Sequence, residues 1–502
     1  MAINEKNLRL ILGLKIRQNR QGKHFSLKEL SDRCGLSVSY LNEIEKGKKY
    51  PKADKIMAIS QALEVPYDDL VSLKLDNELN PLSGFLKTSL LQDLPFDLFG
   101  IDASDLMSLI SEDPTRFSAL VATLVEIARN YDVQVEQVFF AALRSYQEVH
   151  NNYFSDLEEE AERFRKEHQL TLDEVMSPEQ FANILTTDYN YDIDYKTLSE
   201  YPELQGFRSV FIPGKKPKLF VNSQLQSSQR AFVLGREIGH QFMNLKSRSY
   251  TSTWLKIDSF DQVFHHFKAS YFAGALLLNR DLLNHDLNTF FQKDHLDTSY
   301  FQDLLNKYNS TPEMLLHRLA QLIPEFMDFN QFYFLRFNTP LKGPSKYTLT
   351  KELHFSRLHG PHGTELQEHY CRRWVTITIL KELADHYADD QPQAPIIRTQ
   401  RSHFFGTDDE YLNISIARKL SLSHDKASCV TLGFLINDDF KKKVHFWNDP
   451  EIPVREVNET CERCGIMDCR ERISEPYIFE QQERMKVRDA ALHKFIEQYK
   501  SK

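Results

Sequence analysis

The sequence has no uninterrupted apolar run near the roughly 18–20 residues that a helix needs to cross a bilayer. Its first ten residues, MAINEKNLRL, also lack the apolar segment of a signal peptide. These two absences argue against a membrane-spanning helix and against secretion. We therefore expect a cytoplasmic protein with no membrane partner.

Cysteine is also scarce, with six residues in a chain of 502. Three of them, Cys461, Cys464 and Cys469, fall within nine residues. In a reducing compartment such a cluster is more typical of a metal or redox site than of disulfides. Two thiolates separated by two residues can bind one metal from a tight turn, and the third follows close behind.

The remaining composition is that of an ordinary globular protein, with 41% hydrophobic and 26% charged residues. A chain of this length is too long for one apolar core and suggests about three domains. The formal net charge of −9 is unevenly distributed. Residues 1–75 carry 14 Lys and Arg against 9 Asp and Glu, a charge of +5, so the rest of the chain carries −14. A basic module on an acidic body can bind nucleic acid locally.

The basic module, residues 1–75, has the pattern of a five-helix bundle. Apolar residues at helical spacing predict a first helix that ends before Gly22. Ser26 and Glu29 form a capping box at the start of the second helix, and Gly35 permits the turn that follows it. Three more helices are predicted: VSYLNEIEKG after the cap Ser37, ADKIMAISQAL after Pro51, and YDDLVSL.

The third helix of this bundle has an apolar face and a polar end. Leu36, Leu41 and Ile44 would be buried, which leaves the N-terminal end exposed. Such an end can enter the major groove of double-stranded DNA, where side chains pair with base edges while lysines contact phosphates. Sequence-specific DNA binding by a homodimer or higher oligomer is favoured over a bundle used for protein contact. The predicted DNA-binding residues are Ser37, Ser39, Tyr40, Asn42, Glu43, Lys46, Lys48 and Lys49.

Residues 76–170 are predicted to form a helical connector. A linker, DNELNPLSG, is followed by helical patterns near 103–112, 114–131 and 134–168. Apolar positions become sparse after Phe154, so DLEEEAERFRKE is typical of a solvated helix face. A stalk that joins a dimer or transmits a signal is the alternative.

Residues 171–328 combine helices with a β-hairpin. A capped helix, SPEQFANIL, precedes two strands, GFRSVFI and PKLFVN, that meet at the turn PGKK. Two apolar helices follow, RAFVLGREIGHQFM (230–243) and FHHFKASYFAGALLL. A further helix begins with a capping box of Ser310 and Glu313 and runs to Pro324.

The first of these apolar helices carries part of a metal-site pattern. His, Glu and His at positions i, i+1 and i+4 of a helix present two imidazoles to one metal, and the Glu can act as base for a metal-bound water. Glu237 and His240 occupy the second and last places, but Arg236 occupies the first. A guanidinium has no lone pair to give a metal. We therefore expect no hydrolysis and favour a hydrogen-bonded polar pair, with a bound metal or a working protease as the alternatives.

Residues 329–502 are predicted to be α+β, with a final helix from about 478 to 499. Zinc, an iron–sulfur cluster and a metal-free redox thiol group all fit the three cysteines. A histidine, Cys371, solvent or a ligand would take the fourth position, and Arg470 and Arg472 would screen the thiolates or bond the sulfurs. The predicted strands are NQFYFLRFN, WVTITIL, APIIRTQ, YLNISIARKL and ASCVTLGFLI.

Four stretches carry a resemblance to a known family. They are LSVSYLNEIEKGKKYP in the N-terminal bundle, SYQEVHNNYFSDLEEEAERF (145–164), ASYFAGALLL (269–278) and ETCERCGIMDCRER (459–472). Over nearly its whole length the chain resembles XRE-type helix-turn-helix regulators with a degenerate ImmA/IrrE-like metallopeptidase domain. It is similar in particular to their short-chain acyl-CoA-responsive branch, which includes propionate/methylcitrate-pathway regulators. The resemblance implies a mainly α fold with α+β parts and a zincin-like domain over 171–328.

The same resemblance implies a transcription regulator, not an enzyme, that senses a short-chain acyl-CoA. Such a ligand needs cationic groups for its phosphates and an apolar pouch for its acyl chain. In the family the three cysteines are associated with a [4Fe-4S] cluster. The alternatives are a zinc metallopeptidase acting on a regulator and an iron–sulfur redox-sensing regulator. The candidate ligand residues, near a metal position that has lost its acidic third ligand, are Arg236, Glu237, His240, His265, His266, Lys268 and Tyr271.

Overall fold

The computed structural model describes residues 5–72, 123, 126, 135–171, 173, 175–251, 257–344, 346–355, 368–385 and 394–500. The chain divides into two compact units, one of residues 1–146 with 257–263 and the other of residues 147–256 with 264–502. The predicted linker after residue 75 and the helical pattern near 103–112 lie outside the described residues, as does the pattern at 114–131 apart from residues 123 and 126. Among the described residues, no helix has both the length and the apolar character that crossing a membrane requires.

The N-terminal bundle has the five predicted helices. They are α1 (Glu5–Gly22), α2 (Leu27–Cys34), α3 (Val38–Glu45), α4 (Ala53–Leu63) and α5 (Tyr67–Val71). The predicted capping box of Ser26 and Glu29 is present at α2, and Ser37 caps α3 by accepting a hydrogen bond from Tyr40 N. The bundle has its own apolar core, formed by residues that include Leu12, Ile16, Leu30, Leu41, Ile44, Ile56 and Leu63.

The predicted continuous helix over 134–168 is wrong. The chain forms α6 (Val135–Val149) and α7 (Ser155–Glu167), with Asn151 and Asn152 between them in the left-handed region at φ of 50° and 56°. Asparagine tolerates this conformation better than most residues. Two asparagines are a weak sequence signal for a break between helices, because asparagine also occurs on solvated helix faces.

The prediction of a solvated face for DLEEEAERFRKE is also wrong. Leu157, Ala161 and Phe164 are buried, and Ala161 and Phe164 belong to the main apolar core. Glu158 is only 3% exposed and accepts two hydrogen bonds from Arg318, at 2.6 and 2.8 Å. A buried carboxylate needs such a partner. Arg318 lies 160 residues further along the chain, so local charge patterning could not indicate it.

A small sheet and a group of helices follow. Strands β1 (Asp192–Asp194), β2 (Ser209–Ile212) and β3 (Lys218–Val221) pair in the order β1-β3-β2, which confirms the hairpin and adds a short parallel strand that was not predicted. The helices are α8 (Pro178–Thr187), which precedes the sheet, and then α9 (Ser227–Phe242), α10 (Phe260–Leu277), α11 (Arg280–Phe291), α12 (Ser299–Lys307) and α13 (Pro312–Met327).

Both predicted ends of α13 are wrong. Thr311, not Ser310, is the N-cap, and its hydroxyl accepts a hydrogen bond from Met314 N at 3.3 Å. The helix continues through Pro324 to Met327. A proline inside a helix leaves the carbonyl four residues earlier without its usual N–H donor. Here the side chain of Asn152 donates to that carbonyl, Ala320 O, at 3.3 Å.

The C-terminal region contains a six-stranded sheet between two helical layers. The sheet order is β5-β4-β8-β7-β6-β9, antiparallel except for the parallel pair β6 and β9. Phe332 and Phe334 of β4 join the main core with residues of α13, whereas Tyr333 and Leu335 join a second core on the other face. The elements are β4 (Phe332–Pro340), β5 (Thr348–His354), α14 (Val375–Asp385), β6 (Ile396–Phe404), β7 (Glu410–Leu420), β8 (Ser423–Leu435), α15 (Asp438–Lys443), β9 (Val454–Val457) and α16 (Tyr477–Lys500).

One predicted strand in this region is a helix. WVTITIL has the β-branched residues typical of strands, but Val375–Asp385 form α14. Its buried residues Thr376, Ile379, Leu380 and Leu383 follow the helical spacing of three and four, and they pack against the second core. Tertiary packing here outweighs the local β preference. The other four predicted strands and the final helix are confirmed.

Candidate nucleic-acid interface and ligand pocket

Helix α3 is held in the N-terminal bundle by close packing and a buried ion pair. Arg20 of α1 donates to both carboxylate oxygens of Glu45, at 2.7 and 2.9 Å. A Cβ on Gly13 of α1 would lie 2.5 Å from the carbonyl oxygen of Ile44, so the two helices approach as closely as a glycine allows. Leu41 and Ile44 are fully buried. These contacts fix which side of α3 faces solvent.

The solvent side of α3 carries the predicted DNA-binding residues. Ser37 and Ser39 are exposed, and Tyr40, Asn42 and Glu43 are half-buried. After the helix, Lys46 is half-buried, and Lys48 and Lys49 are exposed. The structure therefore places the eight predicted residues along α3, from its N-cap Ser37 to the turn after the helix that carries Lys48 and Lys49.

One ion pair lies within this surface. Lys49 bonds the carboxylate of Glu43 at 2.7 Å, and its ammonium lies 5.7 Å from the centre of the Tyr40 ring. The hydrogen bond that Lys49 donates to Glu43 raises the pKa of Lys49. Glu43 is thus engaged within the bundle, whereas the exposed serines and Lys48 form the outermost part of the surface.

A second candidate site lies where α9 meets the β2 strand and the loop after α9. Its lining residues enclose a space of about 10 Å³, on the scale of one water molecule. They include Arg236, Glu237, His240 and His266 of the predicted set. They are Ser209, Phe211, Arg236, Glu237, His240, Arg248, Ser249, Tyr250, Thr251 and His266.

The carboxylate of Glu237 is held by an arginine that the sequence pattern does not indicate. Arg248 donates to Glu237 Oε2 at 2.5 Å, and its guanidinium lies 3.4 Å from the centre of the Phe211 ring. The hydroxyl of Tyr191 lies 3.5 Å from the same carboxylate oxygen and accepts a hydrogen bond from Gln241 at 2.6 Å. Burial, together with the charge of Glu237, raises the pKa of Tyr191 to about 12. The carboxylate is therefore committed to a local network.

Arg236 is a buried cation with little compensation. Its guanidinium reaches one neutral partner, Ser209 Oγ, at 3.4 Å. Burial lowers its pKa to about 10, with the charge of Glu237 offsetting part of the effect. The group therefore stays protonated at neutral pH. Together with Arg248 and against one carboxylate, it leaves the lining with a net positive charge.

The two histidines of the pocket are neutral. Burial lowers the pKa of His240 far below its usual range, and the charges of Arg248 and Arg236 lower it further. The pKa of His266 is lowered by burial and by the charge of Arg236. His240 Nδ1 is buried and has no hydrogen-bond partner among the residues that the structure describes. The pocket thus holds an unsatisfied polar atom beside two cations.

Three predicted ligand residues lie outside this pocket. Tyr271 donates to Glu158 at 2.7 Å and accepts from Phe154 N at 3.3 Å, so it belongs to the buried Glu158–Arg318 network. His265 Nδ1 accepts from Ser247 N at 3.1 Å. The ammonium of Lys268 lies 4.7 Å from the centre of the Phe264 ring. Arg248, which sequence reasoning missed, comes from a loop with no recognisable signal.

The cysteine-rich loop is the third candidate site. Cys371, Cys461 and Cys464 are buried and Cys469 is half-buried. Hydrogen bonds from Cys461 N to His369 O at 2.8 Å and from Cys371 N to Glu459 O at 3.0 Å hold the segment of Cys371 beside the loop. Burial raises the pKa of Cys371 to about 11, and the charges of Cys464 and Cys461 add to this effect.

Arg472 bonds backbone carbonyls of this loop and not the sulfurs, and of the two predicted roles the screening of thiolate charge remains, since its charge lowers the pKa of Cys464 against the effect of burial. It donates to the carbonyls of Cys461, Cys464 and Ile466 at 2.7, 2.8 and 2.9 Å. All six cysteines are free thiols. Across the described ranges, no three His, Cys, Asp or Glu side chains lie close enough together to hold a metal ion.

Comparison with known proteins places the N-terminal bundle and the segment of the pocket in two domain families. Residues 16–70 match the helix-turn-helix family, and residues 201–320 match the IrrE N-terminal-like domain. The control protein C.BamHI of Bacillus amyloliquefaciens is 39% identical over 66 residues, which cover 13% of this chain and 82% of that protein. The chain therefore belongs to the helix-turn-helix family, and its central segment adds an IrrE-like peptidase domain.

Other relatives match over shorter shares of their length. The transcriptional regulator ClgR of Mycobacterium tuberculosis is 37% identical over 59 residues, which cover 12% of this chain and 53% of ClgR. An uncharacterized HTH-type transcriptional regulator of that organism is 40% identical over 50 residues, which cover 10% of this chain and 36% of the relative. A solved Mycobacterium tuberculosis transcriptional regulator aligns with a TM-score of 0.45 and 18% identity, over 67% of this chain and 93% of that one. The helix-turn-helix and IrrE-like parts of the predicted resemblance are confirmed, while the acyl-CoA-responsive branch stays a prediction.

Proposed function

We propose that this chain is a sequence-specific DNA-binding transcription regulator in which α3 enters the major groove. The observation that carries the proposal is the division of α3 into a buried apolar face, with Leu41 and Ile44, and an exposed polar end, with Ser37 and Ser39. Hydroxyl and amide groups at such an end pair with base edges. The exposed lysines after α3 would contact phosphates. The names of the curated relatives, which are regulators and a control protein, support the same function.

The regulator is proposed to act as a dimer. One module of this size buries too little DNA surface for a tight and selective complex. Helix-turn-helix proteins overcome this limit by binding two half-sites about one helical turn apart. The preferred duplex should therefore contain two related half-sites.

Selection of duplexes from a random library by the full-length protein tests this function. We expect one enriched two-part sequence, and Asn42→Ala should change the preferred bases because an amide is lost from the polar face of α3. Gln61→Ala, which changes an exposed residue of α4, is the matched control and should leave the selected sequence unchanged. Enrichment of no sequence over the input library would contradict the proposal.

The IrrE-like domain is proposed to be a receptor and not a hydrolase. A catalytic zinc needs about three protein ligands and an open position for water. In this pocket Arg236 stands at the first ligand position, Glu237 is held by Arg248, and both cations would repel a divalent ion. These residues therefore do not fit a catalytic zinc. An anionic ligand, in contrast, would compensate the charges of Arg236 and Arg248.

A short-chain acyl-CoA is the proposed ligand class. Its phosphates or its thioester oxygen would use the cationic groups, in line with the family resemblance of the sequence. The enclosed space of about 10 Å³ admits no such molecule without movement of the lining side chains. The loop that carries Arg248, Ser249, Tyr250 and Thr251 would have to open. Ligand binding would then change the protein conformation, which a sensor requires.

Isothermal titration with a short-chain acyl-CoA, with free CoA and with inorganic phosphate tests the receptor proposal. We expect acyl-CoA to bind, and Arg236→Gln to weaken it about tenfold or more, because a charge-assisted contact is removed. Lys268→Gln is the matched control, since that lysine lies over Phe264 and outside the pocket. An equal loss in both variants, or no binding to the wild type, would contradict the assignment.

The cysteine-rich loop is proposed to bind a metal through Cys461, Cys464 and Cys469, with Cys371 as a candidate for a fourth ligand. Since no three such side chains of the described residues lie close enough together to hold a metal ion, the loop would have to rearrange to bring the thiolates together. A [4Fe-4S] cluster is favoured by the family resemblance, and zinc is the alternative. The thiol-rich donor set supports this proposal. The neighbouring carboxylates have other partners, since Glu462 bonds His369 and Glu368 bonds Arg463, so the thiols are the proposed ligands. When bound, the metal would cross-link the loop and the segment of Cys371. An iron–sulfur centre would also make the regulator sensitive to redox conditions.

A further inference from the structure

The last helix, α16, presents an apolar stripe to solvent. None of its residues, 477–500, is buried among the described parts of the chain. Met485, Leu492, Phe495 and Tyr499 are 54–59% exposed. Most helices in proteins gain their stability by burying an apolar face. An exposed group of large apolar side chains on one helix therefore indicates an interaction surface.

The stripe has the spacing of a coiled coil. Ile478, Met485, Leu492 and Tyr499 recur at intervals of seven residues, and Phe495 follows Leu492 by three. Residues repeated in this way occupy positions a and d of a heptad and form a single seam along the helix. At about 1.5 Å per residue the 24 residues extend ~36 Å, enough for about three heptads.

We infer that α16 pairs with α16 of a second copy of this chain as a parallel two-stranded coiled coil. The charges beside the seam favour a second copy of α16 as the partner of this helix. With Met485 and Leu492 at position a, Arg484 is at position g and Asp489 is at position e. In a parallel pair in register, position g of one helix approaches position e of the next heptad in the other. Arg484 of each copy then meets Asp489 of its partner, which gives two symmetric ion pairs.

The antiparallel arrangement fits this helix less well. If Met485 of one copy packs against Phe495 of the other, Leu492 faces Arg488, and an apolar layer is lost. In the parallel pair Leu492 packs on Leu492 and Phe495 on Phe495. Of the three d layers, those of Gln481 and Arg488 are then polar, and the long stem of Arg488 lets its guanidinium extend toward solvent. Polar residues in core layers weaken a coiled coil but fix its register.

This inference rests on the dimer in the proposed function and names the contact that forms it. Sedimentation velocity of the full-length protein over a concentration series is the test. We expect a dimer whose dissociation constant rises about tenfold or more in Leu492→Lys, because a charge enters the seam. Val487 lies on the opposite side of α16 and is 69% exposed. Val487→Lys is therefore the matched control and should leave the constant unchanged.

Charge exchange tests the parallel register and does not depend on an unfolded variant. Arg484→Asp and Asp489→Arg should each weaken the dimer, because each creates two like-charge contacts across the seam. The double variant should restore the affinity of the wild type. Arg484 also lies 3.5 Å from Glu480 in its own helix, so a purely local effect would persist in the double variant and would overturn the register.

The remaining outcomes separate the two proposals. If the wild type is a dimer that Leu492→Lys does not weaken, the pairing of α16 is wrong and the dimer forms elsewhere. If another protein co-purifies with the wild type and is absent from Leu492→Lys, that protein and not a second copy packs against α16, and the inference is wrong. If the wild type is a monomer at every concentration, the proposed dimer and the pairing of α16 are both wrong. The proposal that α3 recognises DNA is tested separately by the selection of duplexes.

Discussion

Arg248 donates a hydrogen bond to the carboxylate of Glu237 at 2.5 Å, in the pocket of the IrrE-like domain. A guanidinium in this position neutralises the group that would act as base. Among the residues that the structure describes, Arg236 has one hydrogen-bond partner, the neutral Ser209 Oγ at 3.4 Å. The proposed receptor role depends on this remaining positive charge, which would attract an anion and repel a metal ion.

Zinc content tests this account of the pocket. Arg236→His restores the pattern of two histidines and a glutamate on α9. We still expect less than one zinc per chain in this variant, because the charge of Arg248 repels a divalent ion and the described lining residues supply no acidic third ligand. Elemental analysis after dialysis provides the measurement. Stoichiometric zinc in the wild type that disappears in His240→Ala would show that the pocket is a metal site after all.

The buried pair of Glu158 and Arg318 predicts a pH-dependent stability. Burial by itself would raise the pKa of Glu158, but the charge and hydrogen bonds of Arg318 outweigh it and hold the pKa below its usual range. A carboxylate with a lowered pKa stabilises the fold above its unfolded pKa of about 4.3, and this stabilisation is lost as the pH falls through the folded pKa.

Glu158→Gln should therefore lower the free energy of unfolding by about 3–5 kcal/mol near pH 7, since it leaves Arg318 buried and unpaired. The difference from the wild type should narrow as the pH falls below the unfolded pKa of about 4.3 and through the lower pKa of Glu158 in the folded protein. Thermal unfolding across this pH range gives the comparison. Glu159→Gln changes the exposed neighbour on α7 and serves as the control. A difference that does not vary with pH would contradict the assigned pair.

Glycine 13 gives a test of the N-terminal bundle. The Cβ of Gly13→Ala would lie 2.5 Å from the carbonyl oxygen of Ile44, so α1 and α3 would have to separate. We expect a loss of about 1–3 kcal/mol in stability, as for other overpacked contacts, together with weaker DNA binding. At Gly22 a Cβ would meet no atom within 4 Å. Gly22→Ala should therefore leave both quantities nearly unchanged, and equal effects of the two substitutions would argue against the close approach.

Metal content after purification without oxygen tests the cysteine-rich loop. We expect iron or zinc in the wild type and little of either in Cys464→Ser, because one of the proposed thiolate ligands is lost. Cys429 is a buried free thiol of β8 in the second apolar core. Cys429→Ser should retain the metal. Metal that survives in Cys464→Ser, or wild-type protein that contains none, would count against a centre at this loop.

The sequence allowed prediction where the signal is local. The capping box of Ser26 and Glu29, the hairpin of β2 and β3, and the amphipathic pattern of α3 all depend on residues within a few positions of each other. The structure confirms each of them. The inability of Arg236 to bind a metal was also predictable, because it depends on the residue type alone.

The errors arose where distant residues decide the structure. Asn152 turns the chain between α6 and α7 and also supplies the donor that Pro324 cannot, through Ala320 O. Neither role is visible without the fold. Glu158 looks solvated until Arg318 is placed beside it, and the strand-like WVTITIL becomes a helix because its apolar residues pack against the sheet. Arg248 enters the pocket from a loop, so periodicity could not have indicated it.

The most direct test of the proposed regulation is a titration of the selected duplex by the full-length protein, with and without a saturating short-chain acyl-CoA, followed by fluorescence anisotropy. We predict that the ligand changes the dissociation constant for DNA by about fivefold or more, a typical coupling between two sites, and that Arg236→Gln responds less than the wild type. Superimposable curves with and without ligand, for a wild type shown by calorimetry to bind it, would contradict the proposal that this pocket controls DNA recognition.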